Sequence, residues 1–442
     1  MSQAPGPEVQ GVPVTARNWQ DPPANRWAFW HVSEILPTYR VSRGDGPVRA
    51  LPPALPAADD GGGLLAVPVA RADRSPGTVG EVLTDTFTDA YLVLQDGELV
   101  TEWYGPLGAP DRPHALMSVS KSVVGCVAAV LIDRGQLDPD REITGYVPEL
   151  AASGYAGALV RHVYDMRSGV RFVEEYANPH ADIRRLDEWI GCRESAEPGE
   201  GEPRGLYRFL ATLRAEAPHG ERFLYRSAES DVLGWVCERA AGQPMAALMS
   251  ELIWAPMGAE HDATLLHDGL GSAVHDGGLS ATARDVARFG QMLLDGGLAG
   301  GSRRVVPSQW LRRAWAVDSD ARTVFAASPA EWAFPGGWYR HQFWFRPGDY
   351  GDVLLCLGIH GQMLHVSRRT NTVCVKFSTW PDAQNPAYLE DTLRAFDAVG
   401  GFLAGRDPTG PGRRRLAGVV SGLSRSGDTS PPAPATPPPT VI

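Results

Sequence analysis

Lysine is nearly missing from this sequence: of 41 basic residues only Lys121 and Lys376 are lysine, and the other 39 are arginine. Arginine thus serves wherever a positive charge is merely needed. A retained lysine points to a task that guanidinium, charged to above about pH 12, cannot perform, and losing a proton in a desolvated site is such a task. Long apolar runs are missing too. None approaches the roughly 18 residues that span a membrane, and the opening segment has no basic-then-apolar signal, so no membrane partner and a cytoplasmic location are expected. Cys126, Cys192, Cys237, Cys356 and Cys374 form no Cys-x-x-Cys pair and read as buried free thiols. The histidines include no His-x-His or His-Glu-x-x-His, so no metal or other cofactor is called for; His261 and His267 read as surface residues. There is no Gly-x-Ser-x-Gly elbow of an α/β-hydrolase. A net charge of −11 disfavours nucleic acid as a partner.

What is present is an ordinary globular composition, 43% hydrophobic over 442 residues, enough for one large domain or two modest ones. Residues 1–80, with Pro-rich and Gly-rich pieces, read as an N-terminal arm wrapped on the body and anchored by Trp19, Trp27, Phe29 and Trp30. The main domain is expected over 81–405, followed by a disordered Pro-rich tail at 406–442. Ala90–Leu94 and Leu99–Trp103 are β-rich runs joined through Asp96-Gly97, a hairpin signal. From Ser118 the period becomes helical, with Val119, Val123, Val127, Val130 and Leu131 on one face and a stop at Arg134-Gly135. Further helices are predicted at Arg204–Ala215, Ala228–Ala241, Met245–Ile253, Ala283–Leu294 and Ala387–Phe402. Strands are predicted at Gln342–Arg346, Val353–Leu357, Met363–Val366 and Val373–Ser378. Strands near both ends and helices between imply an α+β architecture. Its antiparallel sheet is flanked by helices, with a mainly helical subdomain inserted over about 140–290 and a cleft between the two.

Three short segments carry chemistry. Ser118-Val119-Ser120-Lys121 opens the long apolar helix, and a spacing of three puts Ser118 and Lys121 on one helical face. Serine is a poor nucleophile until a base takes its proton, and a partly buried, neutral Lys121 could be that base. The free N–H groups of a helix start suit an oxyanion. Taken alone, such a pair arises readily by chance. Tyr225-Arg226-Ser227 stands directly before a predicted helix; Tyr225 suits a phenolate base or proton carrier, though standing alone it reads more readily as a core tyrosine. Gly358-Ile359-His360-Gly361-Gln362 lies between two predicted strands, where small residues let backbone approach a ligand and an N–H complete an oxyanion hole.

Together these segments resemble the 6-aminohexanoate-dimer hydrolases, a cytoplasmic branch of the class C β-lactamase and penicillin-binding family. The likeness extends to Pro22-Pro23, Asn25-Arg26-Trp27-Ala28-Phe29, Tyr146-Val147-Pro148-Glu149-Leu150 and Thr282-Ala283-Arg284-Asp285. The resemblance implies a β-lactamase-like fold and acyl transfer through a seryl intermediate. It assigns Ser118 as nucleophile, Lys121 as base and Tyr225 as proton shuttle, with the backbone N–H groups of Ser118 and Ile359 as oxyanion hole. It also implies that Tyr176 closes over the substrate amide and that Asp187 holds a terminal ammonium. Ser227, Asp276 and His360 complete the expected substrate contacts. Tyr225-Arg226-Ser227 replaces the usual Tyr-x-Asn, and His360 stands near Gly358 in place of Lys-Thr-Gly; this loses a carboxylate-binding charge and argues against β-lactamase activity. Asp276 falls where the dimer hydrolases carry an uncharged polar residue.

The expected activity is hydrolysis of short linear amides, with small acyl esters as side substrates, by a monomer or homodimer. A carboxylesterase with negligible amidase activity is the near alternative, and a non-catalytic binding protein on the same fold the distant one.

Overall fold

The computed structural model describes residues 7–54, 62–193 and 204–405. Seven strands form its central sheet: β1 (Thr88–Gln95), β2 (Glu98–Tyr104), β3 (Trp338–Arg340), β4 (Phe343–Gly348), β5 (Gly351–Gly358), β6 (Gln362–Ser367) and β7 (Thr372–Ser378). They lie in the order β3-β4-β5-β6-β7-β1-β2, all neighbours antiparallel. The pairing of β7 with β1 joins the C-terminal meander to the N-terminal hairpin, so both ends of the chain build one sheet, as the strand pattern predicts.

Alternation sorts the two faces. Ala90, Leu92, Leu94, Val373, Val375 and Phe377 join one core, whereas Tyr91, Val93 and Cys374 join another across the sheet. Five helices matter for the site: α1 (Val119–Asp133), α2 (Asp182–Ile190), α3 (Ser227–Ala241), α4 (Ala283–Leu294) and α5 (Pro386–Gly405). Helix α4 lies on the first face, where a Cβ at Gly290 would stand 2.6 Å from Val373 and 2.7 Å from Leu364. Helix α5 covers the other, with Phe396 stacked on Tyr91.

Helix α1 is buried on every side from Val119 to Leu131, not on one face as its period suggests. Its sequence carries no charge between Lys121 and Asp133, which suits a helix packed on all sides. Tyr164 donates to the Gly125 carbonyl at 2.6 Å, and a Cβ at Gly125 would stand 2.6 Å from the His341 carbonyl.

The N-terminal region does more than wrap. Trp19, Phe29 and Trp30 are buried as expected, and Trp27 stacks on His31. In addition, Thr38–Val41 starts a second sheet that continues through Ala263–Leu266 and Leu279–Ala281 to His114–Ala115. That last strand feeds directly into Ser118. The predicted helical subdomain therefore also holds two strands, which are too short to show a period of two. The predicted helix at Met245–Ile253 is α-helical only over Met245–Met249 and continues as a π-helical turn, Ser250–Trp254. The helix predicted at Arg204–Ala215 is confined to Leu206–Thr212. The tail beyond residue 405 lies outside the described residues.

Candidate active site

Ser118 is the N-cap of α1 and is delivered by a tight lead-in. The Ala115 N–H bonds the Phe29 carbonyl and the Leu116 N–H that of Leu279, which leaves Met117 at φ 48°. Such backbone in a residue with a Cβ costs about 1–3 kcal/mol and is held by its surroundings. Gly358 supplies part of the hold: a Cβ there would stand 2.6 Å from the Leu116 carbonyl and 3.0 Å from Met117. Gly358 thus lets one strand end meet the backbone just before Ser118. Gly361, at φ 87°, lies flat on Trp380, where a Cβ would be 2.4 Å from the indole.

Lys121 is 1% exposed and its three donors are all engaged. Nζ reaches Ser118 Oγ at 2.7 Å, the Asp276 carbonyl at 2.7 Å and Ser227 Oγ at 3.1 Å. The Asp276 carboxylate lies 3.6 Å away. Burial pulls the Lys121 pKa down, but Tyr225, Asp276, Glu174 and Asp231 together hold it above the ordinary lysine value. That direction favours the ammonium form. The sequence argument for a neutral lysine counted burial and did not foresee this ring of acids.

Tyr225 is buried with its ring centroid 5.3 Å from Lys121 Nζ. Its hydroxyl makes no well-formed hydrogen bond, yet Ser118 and Lys121 stand close enough to ease its ionisation. Burial outweighs them and leaves it a phenol.

Two carboxylates that sequence reading missed organise these groups. Glu174 accepts from the Ser227 N–H at 2.8 Å, from Ser227 Oγ at 2.6 Å and from the Tyr176 hydroxyl at 2.8 Å. Burial raises its pKa against the pull of Lys121. It stands two residues before Tyr176, and that proximity was its only signal in the sequence. Asp231, one turn beyond Ser227 on α3, accepts from the backbone N–H groups of His275 and Asp276 and so fixes the turn whose carbonyl holds Lys121. Gly234 makes room for that turn, since a Cβ there would stand 2.2 Å from the His275 ring.

The remaining expected contacts divide. Asp187 is buried on α2 and already paired with Arg184 Nη1 at 3.2 Å, and Arg184 Nε also bonds the Tyr176 carbonyl at 2.9 Å. Burial raises the Asp187 pKa to about 6, with Arg184 opposing and Asp276 adding to the rise. Tyr176, Ser227 and Asp276 gather around Lys121 through the bonds above. His360 turns inward instead: Nδ1 is 2.8 Å from the Trp380 carbonyl, Phe29 packs edge-on, and burial lowers its pKa to about 4. A neutral, core-facing His360 supports the turn that carries Ile359. Among the described residues no group of three or more His, Cys, Asp or Glu could hold a metal ion, and no helix is long and apolar enough to cross a membrane.

A model of the Beta-lactamase family matches residues 83–397. The 6-aminohexanoate-dimer hydrolase of Paenarthrobacter ureafaciens is 40% identical over 395 residues, which is 87% of this chain and 95% of that one. Esterase EstB of Burkholderia gladioli is 31% identical over 153 residues, 34% of this chain and 37% of that one. A solved Bacillus anthracis structure, provisionally assigned as a 6-aminohexanoate-dimer hydrolase, superposes with a TM-score of 0.79 at 26% identity, covering 90% of this chain and 98% of that one. A family VIII carboxylesterase shares the fold at a TM-score of 0.53 and 17% identity, covering 72% of this chain and 96% of that one. With a serine and lysine in contact at the start of a buried helix, and with this likeness along most of its length, the chain belongs to the Beta-lactamase family of serine hydrolases.

Proposed function

We propose that the protein hydrolyses short linear amides of the 6-aminohexanoate-dimer type through an acyl-enzyme on Ser118. The observation that carries this reading is the buried contact of Lys121 Nζ with Ser118 Oγ, 2.7 Å, beside Tyr225. Ser118 Oγ attacks the carbonyl carbon as its proton passes to a neutral Lys121 Nζ, the new C–O bond forms, and the oxyanion falls to the Ser118 and Ile359 N–H groups. The C–N bond then breaks as Tyr225 delivers its proton to the departing amine and takes one back from Lys121, and water repeats the sequence on the ester.

An ammonium cannot accept the serine proton, so Lys121 first sheds one. Ser227 offers the path: Lys121 donates to Ser227 Oγ at 3.1 Å, and Ser227 Oγ donates to Glu174 at 2.6 Å. One proton moves from Nζ to Ser227 while the Ser227 proton moves to Glu174, leaving a neutral amine and a neutral carboxylic acid. Closing the site over substrate favours that neutral pair, because charge separation is costly in a dry interior.

The paired state of Asp187 favours a second reading, a carboxylesterase in which the ammonium subsite is unused. Turnover of the 6-aminohexanoate dimer measured beside p-nitrophenyl acetate separates the two: dimer cleavage is expected, and ester cleavage without it would overturn the amidase reading. The five described thiols are buried and free, which suits a cytoplasmic enzyme, taken here as a monomer or homodimer acting on small molecules.

A further inference from the structure

The segment Pro22-Pro23…Asn25-Arg26, which the proposed mechanism does not use, lines a hollow beside the central sheet. A cavity of about 670 Å³ opens between this segment, the helix Val79–Asp85, β1 and β2. None of Ser118, Lys121, Tyr225, Ser227, Glu174 or Asp276 lines it. Its volume falls in the range of sites that take small organic ligands.

The walls are largely apolar, with Leu83, Phe87, Trp103 and Pro381 among them. Among the polar lining residues, Asn25 Oδ1 and the hydroxyls of Thr88 and Tyr91 are buried without a hydrogen-bond partner. Thr88 and Tyr91 are both more than nine-tenths buried. Burial holds Tyr91 as a phenol, so it can only donate or accept without charge. Arg26 lines the mouth with 40% of its side chain exposed; its Nη1 bonds Thr379 Oγ1 at 2.9 Å and its Nη2 stands 3.7 Å from Asp89. Glu102, an acid on the wall, is committed to Arg284 by two bonds of 2.7 and 2.8 Å.

Beneath the floor lies Lys376, the second of the two lysines. It pairs with Tyr91 across β7 and β1 and bonds the Thr86 carbonyl and Ser378 Oγ. Asp89 is thus near Arg26 and close enough to Lys376 to act on its charge. Burial lowers the Lys376 pKa to about 7, and a bound anion nearby would restore its charge.

We infer that this cavity is a second ligand site, separate from the catalytic cleft, for a small organic monocarboxylate with an apolar body. The carboxylate takes the Arg26 guanidinium and the Thr88 and Tyr91 hydroxyls, and the hydrocarbon lies against Leu83, Phe87 and Trp103. Charge-assisted hydrogen bonds to arginine supply the preference for an acid over its neutral amide.

The test titrates the full chain with hexanoate and with hexanamide by calorimetry, in wild type, Arg26→Gln and Thr84→Trp. Thr84 is an exposed residue at the rim, so its replacement obstructs the cavity without disturbing the core. Hexanoate is expected to bind saturably at one site, with hexanamide at least tenfold weaker. Each variant is expected to weaken hexanoate binding at least tenfold while p-nitrophenyl acetate turnover stays within twofold. No saturable binding, equal binding of the amide, or binding undiminished in both variants would overturn the proposal.

Discussion

Arg184 donates to the carboxylate of Asp187 at 3.2 Å and, from its Nε, to the carbonyl of Tyr176 at 2.9 Å. One guanidinium thus ties the proposed ammonium anchor to the residue proposed to cover the scissile amide. Asp187 therefore orders the cleft as well as charging it. Asp187→Asn should lower kcat/KM for the 6-aminohexanoate dimer by about tenfold or more, the worth of a modest ion pair, and leave p-nitrophenyl acetate within about twofold. Equal losses on both substrates would show a purely structural role.

The same residue sets a pH signature. Burial first, opposed by Arg184, puts the Asp187 pKa at about 6, above its ordinary value, so the carboxylate is charged only above that pH. An ammonium needs that charge. The ratio of amide to ester kcat/KM, in which shared chemistry cancels, should be high above pH 7 and fall as pH drops through 6. Asp187→Asn should flatten it, and a flat wild-type ratio would contradict the assignment.

Lys121→Arg keeps the charge but cannot give up a proton, so it should cost at least a hundredfold in kcat on both substrates. Activity within tenfold of wild type would mean that the lysine acts only as a cation.

Glu174→Gln preserves an acceptor for Ser227 but not a proton sink. If the proton leaves Lys121 through Ser227, the variant should lose about tenfold to a hundredfold in kcat on both substrates with little change in KM. A loss confined to KM would assign Glu174 to substrate placement alone.

Lys376 should register in stability. Burial lowers its folded pKa from 10.5 to about 7. The unfolded chain then binds one more proton than the folded chain between those values, so stability rises with pH across that window. Below about pH 7 both states are protonated and the penalty is fully present; above 10.5 it is gone. Urea unfolding from pH 7 to 10 should show this rise in wild type and lose it in Lys376→Met. Parallel curves would contradict the shift.

Much of this was legible in the sequence because it rests on local pattern. The hairpin at Asp96-Gly97, the meander of the last strands and helix α4, with Thr282 accepting from the Asp285 N–H, follow from alternation, turn residues and caps. The Ser118–Lys121 contact is fixed by one helical turn. Groups brought together by long-range folding were not legible. Glu174 meets Ser227 across 53 residues and Asp231 meets Asp276 across 45, and no periodicity encodes either pairing. For that reason the acids around Lys121 were not foreseen, while its contact with Ser118 was. His360 was expected at the substrate from the family resemblance; its inward turn onto the Trp380 carbonyl is a long-range contact of the same kind.

The most direct test is Ser118→Ala, assayed on the 6-aminohexanoate dimer and on p-nitrophenyl acetate, with circular dichroism to confirm the fold. A wild-type protein labelled stoichiometrically by a fluorophosphonate, with the folded variant unlabelled and at least a thousandfold slower on every substrate the wild type cleaves, is the expected result. A folded Ser118→Ala protein that keeps most of its ester turnover would contradict the nucleophile assignment and every role built on it.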